Sequence, residues 1–239
     1  KVGETKVRAV WGYPATVTFG EAVFALPLIR AYQKYRTPIA YGYETGTGGM
    51  RKIFQQFKGR HNLGIDFSKF DKALPSWLIE IAFDILAYNL DFTKYQDYGV
   101  PVIRGILNMW QKIKDYCLNT KIRMCNGERY LKKSGLASGS YFTQLVGSIC
   151  NYILLTYAAL KCDVEILNIL VFGDDSIMSS EDHFTPDDVQ RVLSPLGMTV
   201  NVAKSGYSRN ITNLTFLGYK INAGYPLKDR TKAIASLVW

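Results

Sequence analysis

Residues 167–180, LNILVFGDDSIMSS, decide how this chain is read. An apolar run stops at two adjacent carboxylates, Asp174 and Asp175, and resumes with Ile177 and Met178. The pattern reads as strand, turn, strand. Neighbouring side chains on a flat strand point to opposite faces, so the two acids would diverge within one. At a hairpin tip preceded by Gly173, the backbone can bend enough to leave both at one end of a sheet. Gly-Asp is also ordinary turn chemistry, and standing alone the segment is most simply a solvated turn.

It does not stand alone. Upstream, HNLGIDF (61–67) reads as a short buried strand, and Asp66 closes its apolar run in the same way. Two strand ends then present three carboxylates, which repel one another unless a cation neutralises them. Oxygen-only ligands without histidine or thiolate select a hard ion such as Mg²⁺. Two such ions can activate an attacking hydroxyl and steady a leaving oxygen in phosphoryl transfer.

Working outward, Pro75 suits the first turn of a helix through SWLIEIAFDILAYNL, with Leu78, Ile81, Ala82 and Ile85 at helical spacing as its core face. Residues 91–116 read as helical. KIRMCNGERYLKK is a hairpin turning at Asn126-Gly127. SYFTQLVGSICNYILLTYAAL (140–160) is a long apolar helix. A further helix has Thr185 as N-cap, Pro186 at its first position, acids in its first turn and Gly197 closing it. MTVNVAK and LTFLGYKI finish as strands. The sum is an α+β architecture, a sheet with helices on one face.

The 239 residues are 48% hydrophobic and carry a formal charge of +9, enough apolar material for a large core and a surplus that favours a polyanionic partner. No run of 18 apolar residues and no secretion signal is present. Four cysteines without CxxC spacing and two histidines argue against a zinc site and fit reduced thiols. The charged start without Met and the stop at TKAIASLVW suggest a piece of a longer chain.

SGLASGSYFTQLVGSICN (134–151) places Ser138-Gly139 and Thr143 before a long helix, a flexible loop feeding a rigid rod. Taken in order, Asp66-x4-Asp71, Ser138-Gly139-x3-Thr143 and Gly173-Asp174-Asp175 resemble the palm of viral RNA-dependent RNA polymerases. KVRAVWGYPA resembles their basic fingers motif, LGMTVNVAKSGYS the lysine segment behind the active site, and FLGYKI the turn that grips the primer strand. VWGYPA, PIAYGYETGTGG, DFSKFDK and SGSYFTQL are most similar to the partitivirus and picobirnavirus group of double-stranded RNA viruses.

The resemblance implies a right-hand polymerase. Residues 61–91 and 131–222 are palm, 1–60 and 92–130 are fingers, and 223–239 begin a thumb that is largely missing. It implies Asp66 and Asp174 as main ligands of two Mg²⁺ ions, which Mn²⁺ can replace, with Asp175 alongside. Asp71 faces the ribose of the incoming nucleotide, and Ser138, Gly139 and Thr143 hold nucleotide and template. Lys6 and Arg8 neutralise the triphosphate, and Lys204 is the acid that protonates pyrophosphate. Many such polymerases carry Asn four residues after the threonine. Gly147 stands here, and Asn151, one helical turn on, is the substitute for sensing ribose. Implied partners are RNA template and product, ribonucleoside triphosphates and viral capsid protein, with no membrane. The implied location is the host cytoplasm, inside the virion.

Three rivals account for less. FGDD also fits a reverse transcriptase, but the carboxylate of Asp71 can accept from a 2′-hydroxyl where an aromatic gate excludes it. A metal-dependent nuclease has no need of Lys6, Arg8 and the Ser-Gly loop. A non-catalytic RNA-binding protein explains the charge and leaves three repelling aspartates without a reason.

Overall fold

The computed structural model describes residues 12–231, 233 and 234. Lys6 and Arg8, and part of the segment read as the start of a thumb, therefore lie outside the described residues. In chain order, helix α1 (Ala15–Lys34) leads through a loop to α2 (Gly49–Gln56), then strand β1 (His61–Ile65). One turn of helix, α3 (Phe70–Ala73), precedes α4 (Ser76–Tyr88) and α5 (Ile103–Leu118). A small hairpin, β2 (Lys121–Arg123) and β3 (Arg129–Leu131), is followed by α6 (Phe142–Lys161). Strands β4 (Ile166–Phe172) and β5 (Asp175–Ser180), helix α7 (Pro186–Leu193) and strand β6 (Gly206–Ser208) come next. The two-residue strands β7 (Thr215–Phe216) and β8 (Tyr219–Lys220) end the series.

The four-stranded sheet has the order β4-β5-β1-β6, antiparallel throughout. Leu63 pairs with Met178, which pairs with Ile169, while Gly64 pairs with Ile177, which pairs with Leu170. Strand alternation sends these two rows to opposite faces. Leu63, Ile65, Val171 and Met178 join a core with α4 and α6, whereas Leu170 and Ile177 join Met50 and Ile53 of α2, Phe57, and Phe216 of β7. Helices on one face are thus only half the arrangement. The reason is chemical: apolar side chains on both faces require cover on both. At the outer edge of β4, Val171 donates its N–H to the Pro38 carbonyl at 2.8 Å and accepts from Ala40 N–H at 2.9 Å.

Helix α4 forms where its sequence places it, but its buried stripe is Leu78, Ile79, Ala82, Phe83 and Leu86. Ile81 and Ile85, expected in the core, are 43% and 37% exposed. Both stripes share Leu78 and Ala82; the ring of Phe83 decides between them. It packs against Trp110 at 5.7 Å and Phe142 at 5.1 Å between ring centres. Trp110 also meets Phe24 at 5.2 Å, so one aromatic cluster joins α1, α4, α5 and α6. Phe83 and Phe142 are wholly buried, which contributes roughly 1.5–3 kcal/mol each.

The helix expected over 91–116 starts only at Ile103, because Pro101 and the turns before it leave the chain irregular. The hairpin at 121–131 is present with a longer turn than Asn126-Gly127 alone. Gly127 N–H bonds the Met124 carbonyl at 2.9 Å, and of the turn residues Gly127 takes the positive φ, 90°. Helix α6 is long and apolar enough to cross a membrane by length and composition, yet twelve of its residues are buried in the core. Helix α7 carries the expected Thr185 cap, reinforced by Asp188 as a reciprocal capping box.

Two expected strands differ. MTVNVAK makes one bridge, Val200 with Phe67, and then turns, since the Asn201 carbonyl accepts from Lys204 N–H at 3.0 Å and Ser205 N–H at 2.9 Å. The strand begins later, as β6. LTFLGYKI folds into the β7–β8 hairpin, with Leu217 and Gly218 both at positive φ, 51° and 77°.

Candidate active site

The β4–β5 turn contains only Gly173 and Asp174, since Phe172 already pairs with Asp175. Gly173 has φ +64° and Asp174 does not share the positive φ, the signature of a hairpin turn with glycine first. Helix α6 grips this turn from below. Ser148 Oγ accepts from Gly173 N–H at 2.8 Å, and Asn151 Nδ2 donates to the Gly173 carbonyl at 2.9 Å. A Cβ on Gly173 would come within 2.9 Å of the Gln144 amide, so the glycine serves a close approach as well as a turn.

Next door, β1 pairs with β5 through Ile65 and Ser176, so Asp66 leaves β1 beside Asp175. The backbone of Asp66 is fixed twice by the 201–205 turn. Its N–H donates to Ser205 Oγ at 3.0 Å, and its carbonyl accepts from Asn201 N–H at 2.7 Å. Asp66, Asp174 and Asp175 are all exposed. The three acids, more than a hundred residues apart in sequence between the first and the others, therefore meet at one end of the sheet.

The electrostatics agree with that convergence. The Asp175 carboxyl is pushed up to about 6, first by the protein crowding around it and then by the charges of Asp174 and Asp66. Asp71 is also raised, by burial and by Asp174. A carboxyl whose folded value is raised contributes stability that is intact below its unfolded value, 3.8, and lost as pH climbs through about 6. In a chelating buffer, Asp175→Asn should therefore raise the unfolding midpoint at about pH 8 and leave it unchanged below about pH 4. Because Asp175 also reaches solvent, the gain is small. Equal midpoints at the higher pH would contradict the mutual repulsion.

Among the described residues, no group of three or more His, Cys, Asp or Glu side chains is arranged so that it could hold a metal ion. The donor set still fits a hard cation: three oxygen ligands whose charges oppose each other, none of them in an ion pair among the described residues.

The Ser138-Gly139 loop lies between two anchorages. On its near side, Gly135 N–H donates to Leu74 O at 2.8 Å, Leu136 N–H to Asp71 O at 2.6 Å, and Ser134 Oγ to Lys72 O at 3.2 Å. Gly135 has φ +79°, and a Cβ there would lie 2.2 Å from the Asp71 carbonyl oxygen. On the far side, Thr143 Oγ1 donates to Ala137 O at 2.6 Å. Ser138 and Gly139 themselves are exposed, Gly139 with φ +108°.

The structure thus brings together Asp66, Asp174 and Asp175, with Asp71 coupled to Asp174 and Lys204 exposed on the turn that fastens Asp66. Thr143 is half-buried, its hydroxyl committed to the loop itself. Asn151 departs from its expected nucleotide contact. It is wholly buried beneath the Gly173 turn, and its amide is used there. The sequence reading passed over Ser148, Ser205, Gly135 and the buried Glu21 of α1. Ser148 carried a usable signal, a polar residue three positions before Asn151 in the buried middle of α6.

The family model described as viral RNA-dependent RNA polymerase matches residues 1–239. The chain is 30% identical over 222 residues to the RNA-directed RNA polymerase of Cryptosporidium parvum virus 1, covering 87% of this chain and 39% of that protein. It is 26% identical over 286 residues to that of Atkinsonella hypoxylon virus, covering 98% and 42%. The fold is similar to the crystal structure of a human picobirnavirus RNA-dependent RNA polymerase, with TM-score 0.77, 21% identity and coverage of 96% of this chain and 43% of that one. The chain thus spans about two fifths of the length of these relatives. With every residue inside the family match, the chain belongs to the viral RNA-dependent RNA polymerases.

Proposed function

We propose that the full-length protein containing this chain carries out template-directed RNA synthesis, transferring nucleotides from ribonucleoside triphosphates to an RNA 3′ end and so replicating and transcribing a viral RNA genome. The observation that carries this reading is the meeting of Asp66 with Asp174 and Asp175 at the end of β1 and β5, beside a loop of exposed Ser138 and Gly139.

Asp66 and Asp174 would hold two Mg²⁺ ions in this reading, with Asp175 alongside. When bound, such ions supply charge stabilisation to the attacking and leaving oxygens of an in-line displacement. The chain's own residues do the rest. Asp71 accepts from the ribose hydroxyl, a contact that favours ribonucleotides. Ser138 and Gly139 offer a hydroxyl and a close backbone approach to nucleotide and template. Lys204 donates a proton to the departing pyrophosphate oxygen, and Lys6 and Arg8 neutralise the triphosphate. Helix α6 keeps Asp174 and Asp175 in place through Ser148 and Asn151, the role the geometry gives Asn151.

The same reading makes the sheet with α4 and α6 the palm, and α1, α2, α5 and the β2–β3 hairpin contributions to the fingers. It adds viral capsid protein as a partner and the virion in the host cytoplasm as location. The formal charge of +9 supports an RNA partner. Primer extension by the full-length protein on an RNA template tests the proposal. Extension with ribonucleotides that stops on removal of Mg²⁺ is expected, whereas preference for deoxynucleotides would favour reverse transcription instead.

A further inference from the structure

Glu21 projects from α1 into the protein interior and is 0% exposed. A carboxylate so placed must be paired or hydrogen-bonded. It has no ion-pair partner among the described residues. Four donors satisfy it instead, drawn from three other parts of the chain. The Tyr13 hydroxyl donates to Oε1 at 2.5 Å, the Ser140 hydroxyl to Oε1 at 2.9 Å and the Cys117 thiol to Oε1 at 3.5 Å, while Tyr141 N–H donates to Oε2 at 2.9 Å. These groups keep their protons. Burial and the neighbouring Glu21 charge push the Cys117 thiol up to about 12, and burial raises the Tyr13 hydroxyl as well.

Two of the four donors, Ser140 and Tyr141, directly follow Ser138-Gly139. Ser140 Oγ also accepts from Phe142 N–H at 3.0 Å, so the same contact shapes the first turn of α6. The near end of the loop is fastened to the α3–α4 turn through Gly135 and Leu136; the far end is fastened to α1 through Glu21. We infer that Glu21 is a positioning residue that fixes the downstream end of the Ser138-Gly139 loop, so that helix α1 sets where the loop meets nucleotide and template. The inference deepens the polymerase reading and rests on it for its functional half.

Glu21→Gln in the full-length protein is the test. Glutamine keeps the shape but sets an amide N–H₂ against one of the donors, so the loop loses a charge-assisted bond while the core stays filled. Hydrogen exchange at residues 138–142 and the KM for the incoming nucleotide should each rise about tenfold, the effect of one such bond, with kcat near the parent value. A merely structural role would lower the melting temperature and speed exchange throughout α1 and α6. Ser140→Ala, which removes one donor and leaves the carboxylate, should shift both readouts in the same direction by less, and adding it to Glu21→Gln should change little. It also serves if the glutamine variant does not fold. Exchange at 138–142 equal to the parent, or an unchanged KM, overturns the assignment. A parent protein that cannot extend an RNA primer would remove the polymerase reading, leaving exchange to decide the anchoring alone.

Discussion

On the proposed function, Asp174→Ala is expected to abolish nucleotide addition by the full-length protein and to leave its fold intact. Asp174 sits in a two-residue turn, is exposed, and has no positive φ that alanine would resist. The turn is held by Gly173 through Ser148 and Asn151, none of which the substitution touches. Little stability is therefore at stake, and Asp175, relieved of a neighbouring charge, titrates closer to its ordinary value. In the proposed role, the substitution removes a ligand for the charge that would stabilise the transferring phosphoryl group, an expected loss of several kcal/mol, or roughly 10³-fold or more in rate. Single-nucleotide extension with far-ultraviolet circular dichroism checks both halves. Elongation retained by a folded variant would remove the metal role from this residue.

Lys204→Leu is expected to slow addition by one to two orders of magnitude, on the order of the contribution of a positioned general acid, roughly 10²-fold or more. The structure gives this lysine a definite seat. Its N–H bonds the Asn201 carbonyl, and the neighbouring Ser205 hydroxyl accepts from Asp66 N–H. The turn that bears the ammonium is thus fastened to the same strand end as the first aspartate. Lys204 is exposed and in no ion pair among the described residues, so leucine disturbs neither core nor network. The single-turnover rate should fall. An unchanged rate would leave Lys204 as surface charge.

Much of this was legible in the residues because it depended on local chemistry. Thr185-Pro186 opened a helix, Gly173 made a hairpin, and two apolar runs ending in acids marked two neighbouring strand ends. What stayed hidden depended on tertiary choice. Whether α4 buried Ile81 or Phe83 was settled by Trp110 and Phe142, residues on other helices. Asn151 had the right face for a nucleotide but lay beneath the hairpin, where the Gly173 carbonyl needed a donor. MTVNVAK had strand composition, but the Asn201 carbonyl captured Lys204 and Ser205 and turned the chain. Glu21 carries no mark in the sequence of its burial; only the convergence of Tyr13, Cys117, Ser140 and Tyr141 explains a carboxylate in the interior.

The brace along the outer edge of β4 has a consequence for self-association. Pro38 and Ala40 occupy both backbone groups of Val171, in the most apolar part of that strand. An unprotected edge of this composition would recruit strands from other molecules and seed aggregates. With the C-terminal end of the strand already taken, β4 offers a foreign strand only a shortened edge.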